Sequence, residues 1–169
     1  MENNKDSLKF IIQRYDSYIS SSNTKGSFLL SLNALIITLC VGNLTRILGD
    51  NQSEILVPMI LVSILLISGS IAVVFIILAL YPFTSSGNSS VGKYHSKIFF
   101  GSVAEYRTPN EYWESIRLCN DAEFEEDMAY QAHILAVGLQ RKFRFLKIAS
   151  WFIYVDLLVV VGGFISKVL

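Results

Sequence analysis

The chain has 169 residues, of which 52% are hydrophobic and only 17% are charged, and its mean hydropathy is +0.46. This composition favours a membrane protein over a soluble domain. The 14 Lys and Arg residues balance the 14 Asp and Glu residues, so no overall basic field attracts nucleic acid, and an anionic partner needs a local basic patch. Two cysteines are too few for a disulfide framework or a zinc site.

Three stretches are apolar enough to cross a bilayer, which takes roughly 20 residues. They are residues 26–44, 55–81 and 148–168. We expect no cleavable signal before them, because charges run through residues 1–25. Most Lys and Arg residues lie in 1–25 and 82–147, whereas the 45–54 loop and the C-terminal tail hold one each. Since cytoplasmic flanks retain basic residues, this asymmetry predicts a cytoplasmic N-terminus and a C-terminus on the outer side.

The predicted cytosolic parts are helical. Residues 1–25 predict an amphipathic helix that leads into the first span, with an apolar face made by Leu8, Ile11, Ile12, Tyr15, Tyr18 and Ile19. This helix either packs on neighbouring cytosolic helices or lies on the membrane surface. The TPNE motif at 108–111 predicts a capping box that starts a short helix. Its inward residues are expected to be Tyr112, Trp113 and Ile116.

A second capping signal, at residues 120–123, starts the longest predicted helix. Apolar residues follow at helical spacing and run without proline into the third span: Met128, Ala132, Leu135, Leu139, Phe143 and Leu146. This pattern predicts one helix of about 48 residues, roughly 70 Å long. The sequence therefore predicts an all-α membrane protein with three transmembrane helices, an N-terminal amphipathic helix, and a cytosolic helical region (82–147) that is continuous with the last span.

Polar residues inside the spans are candidates for function. Ser27, Ser31 and Thr38 lie on one small-residue face of the first span, which either packs closely against another helix or lines a hydrated pore. Asn33 lies beside this face, and Asp156 lies at a similar depth in the third span. Because an ionised carboxylate near the bilayer centre costs at least ~2.5–3.5 kcal/mol, Asp156 should face protein or water. It either hydrogen-bonds Asn33 or belongs to an ion path.

Basic residues crowd the membrane-proximal end of the long helix at Arg141, Lys142 and Arg144. They are either positive-inside anchors or, in an oligomer, a ring that binds phosphate groups. No catalytic residue, metal ligand or cofactor site is predicted. The GNSSVGKY segment at 87–94 departs from a phosphate-binding loop, because tyrosine stands where a magnesium-binding hydroxyl is needed and no strand precedes it.

Two parts of the sequence carry a family resemblance. The string YDSYISSSNTKGSFLLSLN at 15–33 resembles the entry to the first span in the Pycsar-type transmembrane effectors of bacterial anti-phage defence. KIFFGSVAEY at 97–106 and KFRFL at 142–146 follow the same family's order. The positions that match the family pattern are Lys25, Asn33, Phe99, Phe100, Gly101, Tyr112, Asp127, Gln131 and Lys142. The architecture is also similar to that of the SLATT membrane effectors.

The resemblance implies a homo-oligomeric, ligand-gated channel of the bacterial inner membrane that depolarises the infected cell, with a periplasmic C-terminus. Its signal would be a cyclic nucleotide or a short oligonucleotide made by a neighbouring nucleotidyltransferase or cyclase. Only about 65 residues separate the second and third spans, which leaves no room for an appended nucleotide-binding domain. The ligand contacts are therefore expected in the helical part, at Lys25, Lys97, Arg141, Lys142 and Arg144.

Of the possible oligomeric rings of this chain, we expect a tetramer. Two other functions stay open at this stage. One is a membrane anchor that conducts no ions and recruits a cytosolic partner, and the other is a membrane-lytic toxin.

Overall fold

The computed structural model describes residues 2–43, 47, 55–82 and 95–168. Within these ranges every regular element is a helix: α1 (Glu2–Gly42), α2 (Leu56–Leu80), α3 (Phe100–Val103), α4 (Pro109–Arg117) and α5 (Asp121–Val168). Three of them contain a segment long and apolar enough to cross a membrane, namely Asn4–Gly42, Leu56–Leu80 and Asp121–Gly163. The predicted all-α fold with three spanning helices is therefore confirmed.

The helix starts follow the capping chemistry expected from the sequence. Thr108 Oγ1 accepts a hydrogen bond from the Glu111 backbone N–H at 3.2 Å, and Glu111 Oε2 accepts one from the Arg107 N–H at 3.0 Å. At the start of α5, Asn120 Oδ1 accepts from the Glu123 N–H at 2.8 Å. The bonds from the Glu111 and Glu123 N–H groups satisfy donors that the first turn of a helix leaves without partners, and the bond from Arg107 ties the residue before the N-cap to α4. The predicted long helix is also confirmed, since α5 has 48 residues.

Two predictions about helix faces are wrong. Trp113 was expected to point inward but is 63% exposed, and Phe143 in the predicted seam of α5 is 40% exposed. Tyr112 and Ile116 are half-buried on one face of α4, because residues four apart lie one above the other on a helix. Trp113 is rotated by about 100° from Tyr112 and by about 60° from Ile116, on the side away from Tyr112. The face of the nine-residue helix α4 that carries Tyr112 and Ile116 is partly covered, whereas Trp113 lies outside that face.

The chain divides into two compact units. The polar unit comprises Met1–Ser21 and Pro82–Arg141, and the transmembrane unit comprises Ser22–Tyr81 and Lys142–Leu169. The core of the transmembrane unit contains Ile36, Cys40, Val62, Leu65, Ala72, Ile76, Ala149 and Ile153. Small residues allow close helix contacts around it: a Cβ on Gly26 would lie 2.7 Å from Leu80 Cδ2. Helices α1 and α5 each contribute residues to both units.

Candidate functional site

A buried group of polar residues lies among the three helices of the transmembrane unit. We call Asn33, Ser68, Gly69 and Asp156 the polar cluster. Asn33 and Asp156 have no exposed surface, and Ser68 is 7% exposed. Asn33 Nδ2 donates to the Gly69 carbonyl oxygen at 2.9 Å, and the Ser68 hydroxyl donates to Asp156 Oδ1. Asn33 and Asp156 thus each bond to a residue of α2, and the two alternatives predicted for Asp156, a hydrogen bond with Asn33 or a place in an ion path, stay predictions.

Gly69 allows α1 to approach α2 at this level. A Cβ at this position would lie 3.0 Å from Ile37 Cδ1 and 3.3 Å from Asn33 Oδ1. Two oxygen atoms of the cluster, Asn33 Oδ1 and Asp156 Oδ2, are buried and accept no hydrogen bond from the described residues. The cluster thus holds more acceptors than donors.

The small-residue stripe of α1, which we define as Ser27, Ser31 and Thr38, lies elsewhere on the same helix. All three residues are exposed on the surface of the single chain. The Ser31 hydroxyl donates to the Ser27 carbonyl oxygen at 3.0 Å, so its hydrogen-bonding need is met within α1. The five predicted intramembrane residues are therefore divided into an exposed stripe and a buried pair, and α2 and α5 do not cover the stripe.

Lys142 differs from the other predicted ligand-binding cations, because it is buried and only 6% exposed. Its ammonium donates to the carbonyl oxygens of Ala79 at 2.6 Å and Tyr81 at 3.2 Å, and to Asn23 Oδ1 at 3.2 Å. The carbonyls at the end of a helix have no donors within that helix, and a cation there is favoured by the helix dipole. Lys142, which lies on α5, thus links that helix to the end of α2 and to α1.

The four remaining basic residues are divided between the two units. Lys25 and Arg144 lie exposed in the transmembrane unit, where the Arg144 guanidinium carbon is 5.9 Å from the centre of the Phe145 ring. Arg141 lies exposed in the polar unit. Lys97, also in the polar unit, is half-buried, and its Nζ lies 3.9 Å from Glu123 Oε2.

A side-chain hydrogen bond with Cys119 and the charge of Glu123 outweigh partial burial and raise the pKa of Lys97. Lys97 therefore stays a cation at neutral pH. Its backbone is held as well. The Tyr112 hydroxyl donates to the Lys97 carbonyl oxygen at 2.9 Å, and the Lys97 N–H donates to Asp127 Oδ2 at 2.7 Å. Two positions of the family pattern, Tyr112 and Asp127, thus fix the segment that leads into α3.

Two buried serines of the polar unit were missed by the sequence analysis. Ser96 is fully buried, and its hydroxyl oxygen accepts from the Phe99 N–H at 3.0 Å. A serine four residues before the start of a helix is the available signal for such a turn. Ser102 is also fully buried, and its hydroxyl makes no hydrogen bond to the described residues. Its place in a short apolar segment leaves no sequence signal.

His95, in the polar unit, contacts a carboxylate and an aromatic ring. His95 Nε2 lies 3.2 Å from Glu105 Oε2, and its ring meets the Tyr106 ring edge-on at 5.0 Å. Within the described ranges, no three His, Cys, Asp or Glu side chains are placed to bind one metal ion. The segment at 87–94 that was compared with a phosphate-binding loop lies outside the described residues.

Comparison with known proteins gives a family that agrees with this architecture. The family model described as the Pycsar effector protein domain matches residues 7–167. The chain is 25% identical over 158 residues to the Pycsar effector protein EcPycTM of Escherichia coli, and the alignment covers 89% of this chain and 85% of that protein. No solved structure matches. Because the family model spans both units and all three spanning helices, the chain belongs to the Pycsar effector family of anti-phage defence.

Proposed function

We propose that the protein is a homo-oligomeric effector of the bacterial inner membrane that opens an ion-conducting pore under the control of a nucleotide. Membership of the Pycsar effector family supports the membrane setting and a cyclic nucleotide as the signal. The observation that carries the pore itself is the exposed small-residue stripe of α1, which the chain's own α2 and α5 leave uncovered.

The surface of α1 has two different faces. Ser27, Ser31 and Thr38 lie within about 40° of one another around the helix. About 90° away lies a face of large apolar side chains: Phe28 is 67% exposed, Leu35 55% and Leu39 56%. The large apolar face suits lipid, whereas a small and partly polar face suits a neighbouring subunit or water. We propose a ring of four subunits, in which the stripe faces the pore axis.

We propose that the nucleotide binds to the polar unit and that this binding opens or closes the pore. With the N-terminus and the polar unit in the cytosol and the C-terminus in the periplasm, a nucleotide made in the cell reaches Lys97 and Arg141 of the polar unit, and Lys25 and Arg144 near the membrane. A ligand that binds one of two helix packings more tightly shifts the population towards it. Helices α1 and α5 continue from the polar unit into the transmembrane unit, so a change of packing reaches both.

The test is ion flux from liposomes that contain the purified protein. Flux is recorded without ligand, with a panel of cyclic nucleotides, and with short DNA and RNA oligomers. Thr38→Leu should lower the flux at least tenfold and leave the oligomer intact, because a bulky apolar side chain narrows and dries a pore at this level.

Ser63→Leu is the matched control, since Ser63 is also exposed and its hydroxyl is bonded to the Met59 carbonyl oxygen of its own helix at 2.8 Å. Unchanged flux in Thr38→Leu would refute the pore assignment.

The same experiment separates the remaining functions. Flux that appears with a cyclic nucleotide supports an activated effector, whereas flux that an oligonucleotide suppresses indicates a channel held shut by its ligand. Release of a large trapped dye together with ions indicates a membrane-lytic toxin. The absence of flux under every condition favours a membrane anchor that recruits a cytosolic partner.

A further inference from the structure

The polar cluster is short of hydrogen-bond donors. The Ser68 hydroxyl donates to Asp156 Oδ1, and the Asn33 amide nitrogen donates one of its two N–H groups to the Gly69 carbonyl oxygen; neither group donates to the remaining acceptors of the cluster. Two fully buried acceptors remain, Asn33 Oδ1 and Asp156 Oδ2, and neither receives a hydrogen bond from the described residues. Burying an acceptor without a donor is destabilising. The cluster therefore calls for one more donor.

The polar cluster also lacks a counter-ion for an ionised Asp156. Along the apolar parts of the helices that surround Asp156, the titratable side chains are Cys40 in residues 26–43 of α1, none in α2, and Tyr154 in residues 148–163 of α5. Cys40 is buried in the apolar core, and Tyr154 is 53% exposed on the outside of α5. Among the residues of α5 whose burial the structure describes, the nearest buried cation to Asp156 is Lys142, about 21 Å away along the helix axis. An ionised Asp156 would have no counter-ion among these groups.

We propose that the polar cluster is a proton-binding site, in which Asp156 carries a proton on Oδ2 and donates it to Asn33 Oδ1. A single proton removes the carboxylate charge and gives both unmatched oxygens a partner. Asp156 then accepts from Ser68 and donates to Asn33, so one neutral network joins α1, α2 and α5. A proton fits better than a hard metal cation, because such cations take about six or more oxygen ligands and only two oxygens of the cluster are unengaged.

The proposal has a consequence for the packing of the three helices. When they separate and water reaches Asp156, the solvated carboxyl gives up its proton at neutral pH and becomes a carboxylate. The packed state therefore binds one proton more than the separated state, and raising the pH favours separation. The site does not depend on ion conduction, since it concerns the packing of one chain.

Infrared spectroscopy detects the proton directly. At pH 7 the wild-type protein should show the carbonyl band of a protonated carboxylic acid, and this band should be missing in Asp156→Asn. The matched control is Asp121→Asn at the start of α5, where the carboxylate is exposed and lies 3.4 Å from Lys5 Nζ. This control should lose only bands of an ionised carboxylate. A spectrum of Asp156→Asn that also loses only ionised bands would overturn the proposal.

Thermal unfolding in detergent micelles tests the same proton through its linkage to stability. Between about pH 5 and 8 an unfolded aspartate is ionised, so the unfolding equilibrium constant of the wild type should rise about tenfold more per pH unit than that of Asp156→Asn. An amide at position 156 can still accept from Ser68 and donate to Asn33, so this variant should fold. Parallel pH profiles for the two proteins would contradict the proton site.

Two further measurements test whether Asn33 accepts the hydrogen bond from Asp156 and whether the cluster binds a proton or an alkali cation. Asn33→Leu removes the acceptor and should lower the melting temperature, whereas Asn43→Leu should not, because Asn43 is exposed and its amide donates within its own helix to the Leu39 carbonyl oxygen at 2.8 Å. Equal losses for the two variants would count against the assigned acceptor. Exchanging choline for Na⁺ at constant ionic strength should leave the wild type unchanged. Stabilisation by Na⁺ that Asp156→Asn lacks would identify an alkali cation as the occupant and overturn the proposal.

Discussion

Replacing Lys142 with methionine should destabilise the transmembrane unit although the side chain stays unbranched and only one heavy atom shorter. The ammonium of Lys142 donates to the Ala79 carbonyl at 2.6 Å, the Tyr81 carbonyl at 3.2 Å and Asn23 Oδ1 at 3.2 Å. Methionine replaces the apolar stem of lysine with a thioether chain, leaves the position of the ammonium empty and offers no donor. The variant therefore isolates the hydrogen bonds from the packing of the side chain.

The magnitude follows from the burial of the three acceptors. The bond to Ala79 is fully buried, and the bonds to Tyr81 and Asn23 are partly buried. The buried carbonyl left without a donor costs about 1–3 kcal/mol, while water can replace much of the other two bonds. Removing a buried cation also recovers part of its desolvation penalty. We expect a net loss of about 2 kcal/mol, which corresponds to a fall of about 4–8 °C in the melting temperature of a chain of this size.

The assay is thermal unfolding in detergent micelles followed by circular dichroism. Lys147→Met is the matched control, because Lys147 is on the same helix and exposed, and a surface substitution of this kind changes stability by less than about 0.5 kcal/mol. Equal melting temperatures for Lys142→Met and the wild type would show that Lys142 does not hold the end of α2. An equal fall in Lys147→Met would show that loss of charge alone is responsible.

Three further predictions concern close contacts and caps. Gly69→Val should cost about 1–3 kcal/mol through overpacking, because a Cβ at this position would lie 3.0 Å from a side chain of α1. Gly42→Val should leave the melting temperature unchanged, because a Cβ there would have nothing within 4 Å. Thr108→Ala removes the cap of α4 and should cost about 1 kcal/mol; unchanged stability would contradict this role. Asp127→Ala should speed hydrogen exchange at the Lys97 amide, which donates to Asp127, and unaltered exchange there would count against the contact.

The sequence by itself determined the secondary structure of the described residues closely. Helix α5 has the predicted 48 residues, and the caps at Thr108 and Asn120 form the predicted bonds. The three spanning helices were also predicted. These features depend on interactions between residues no more than four positions apart, or on the summed hydropathy of one continuous stretch, so they can be read along the chain.

Only the tertiary structure decided which side of each helix is covered. Asn33 and Thr38 are both polar residues of α1, yet the first is fully buried and the second is exposed. Lys142 and Arg144 belong to one basic run, yet Lys142 is buried and Arg144 is exposed. The partners that make the difference, such as Gly69 for Asn33, are distant in the chain. A helical period predicts which residues share a face, but the element that packs on that face is set by contacts between helices.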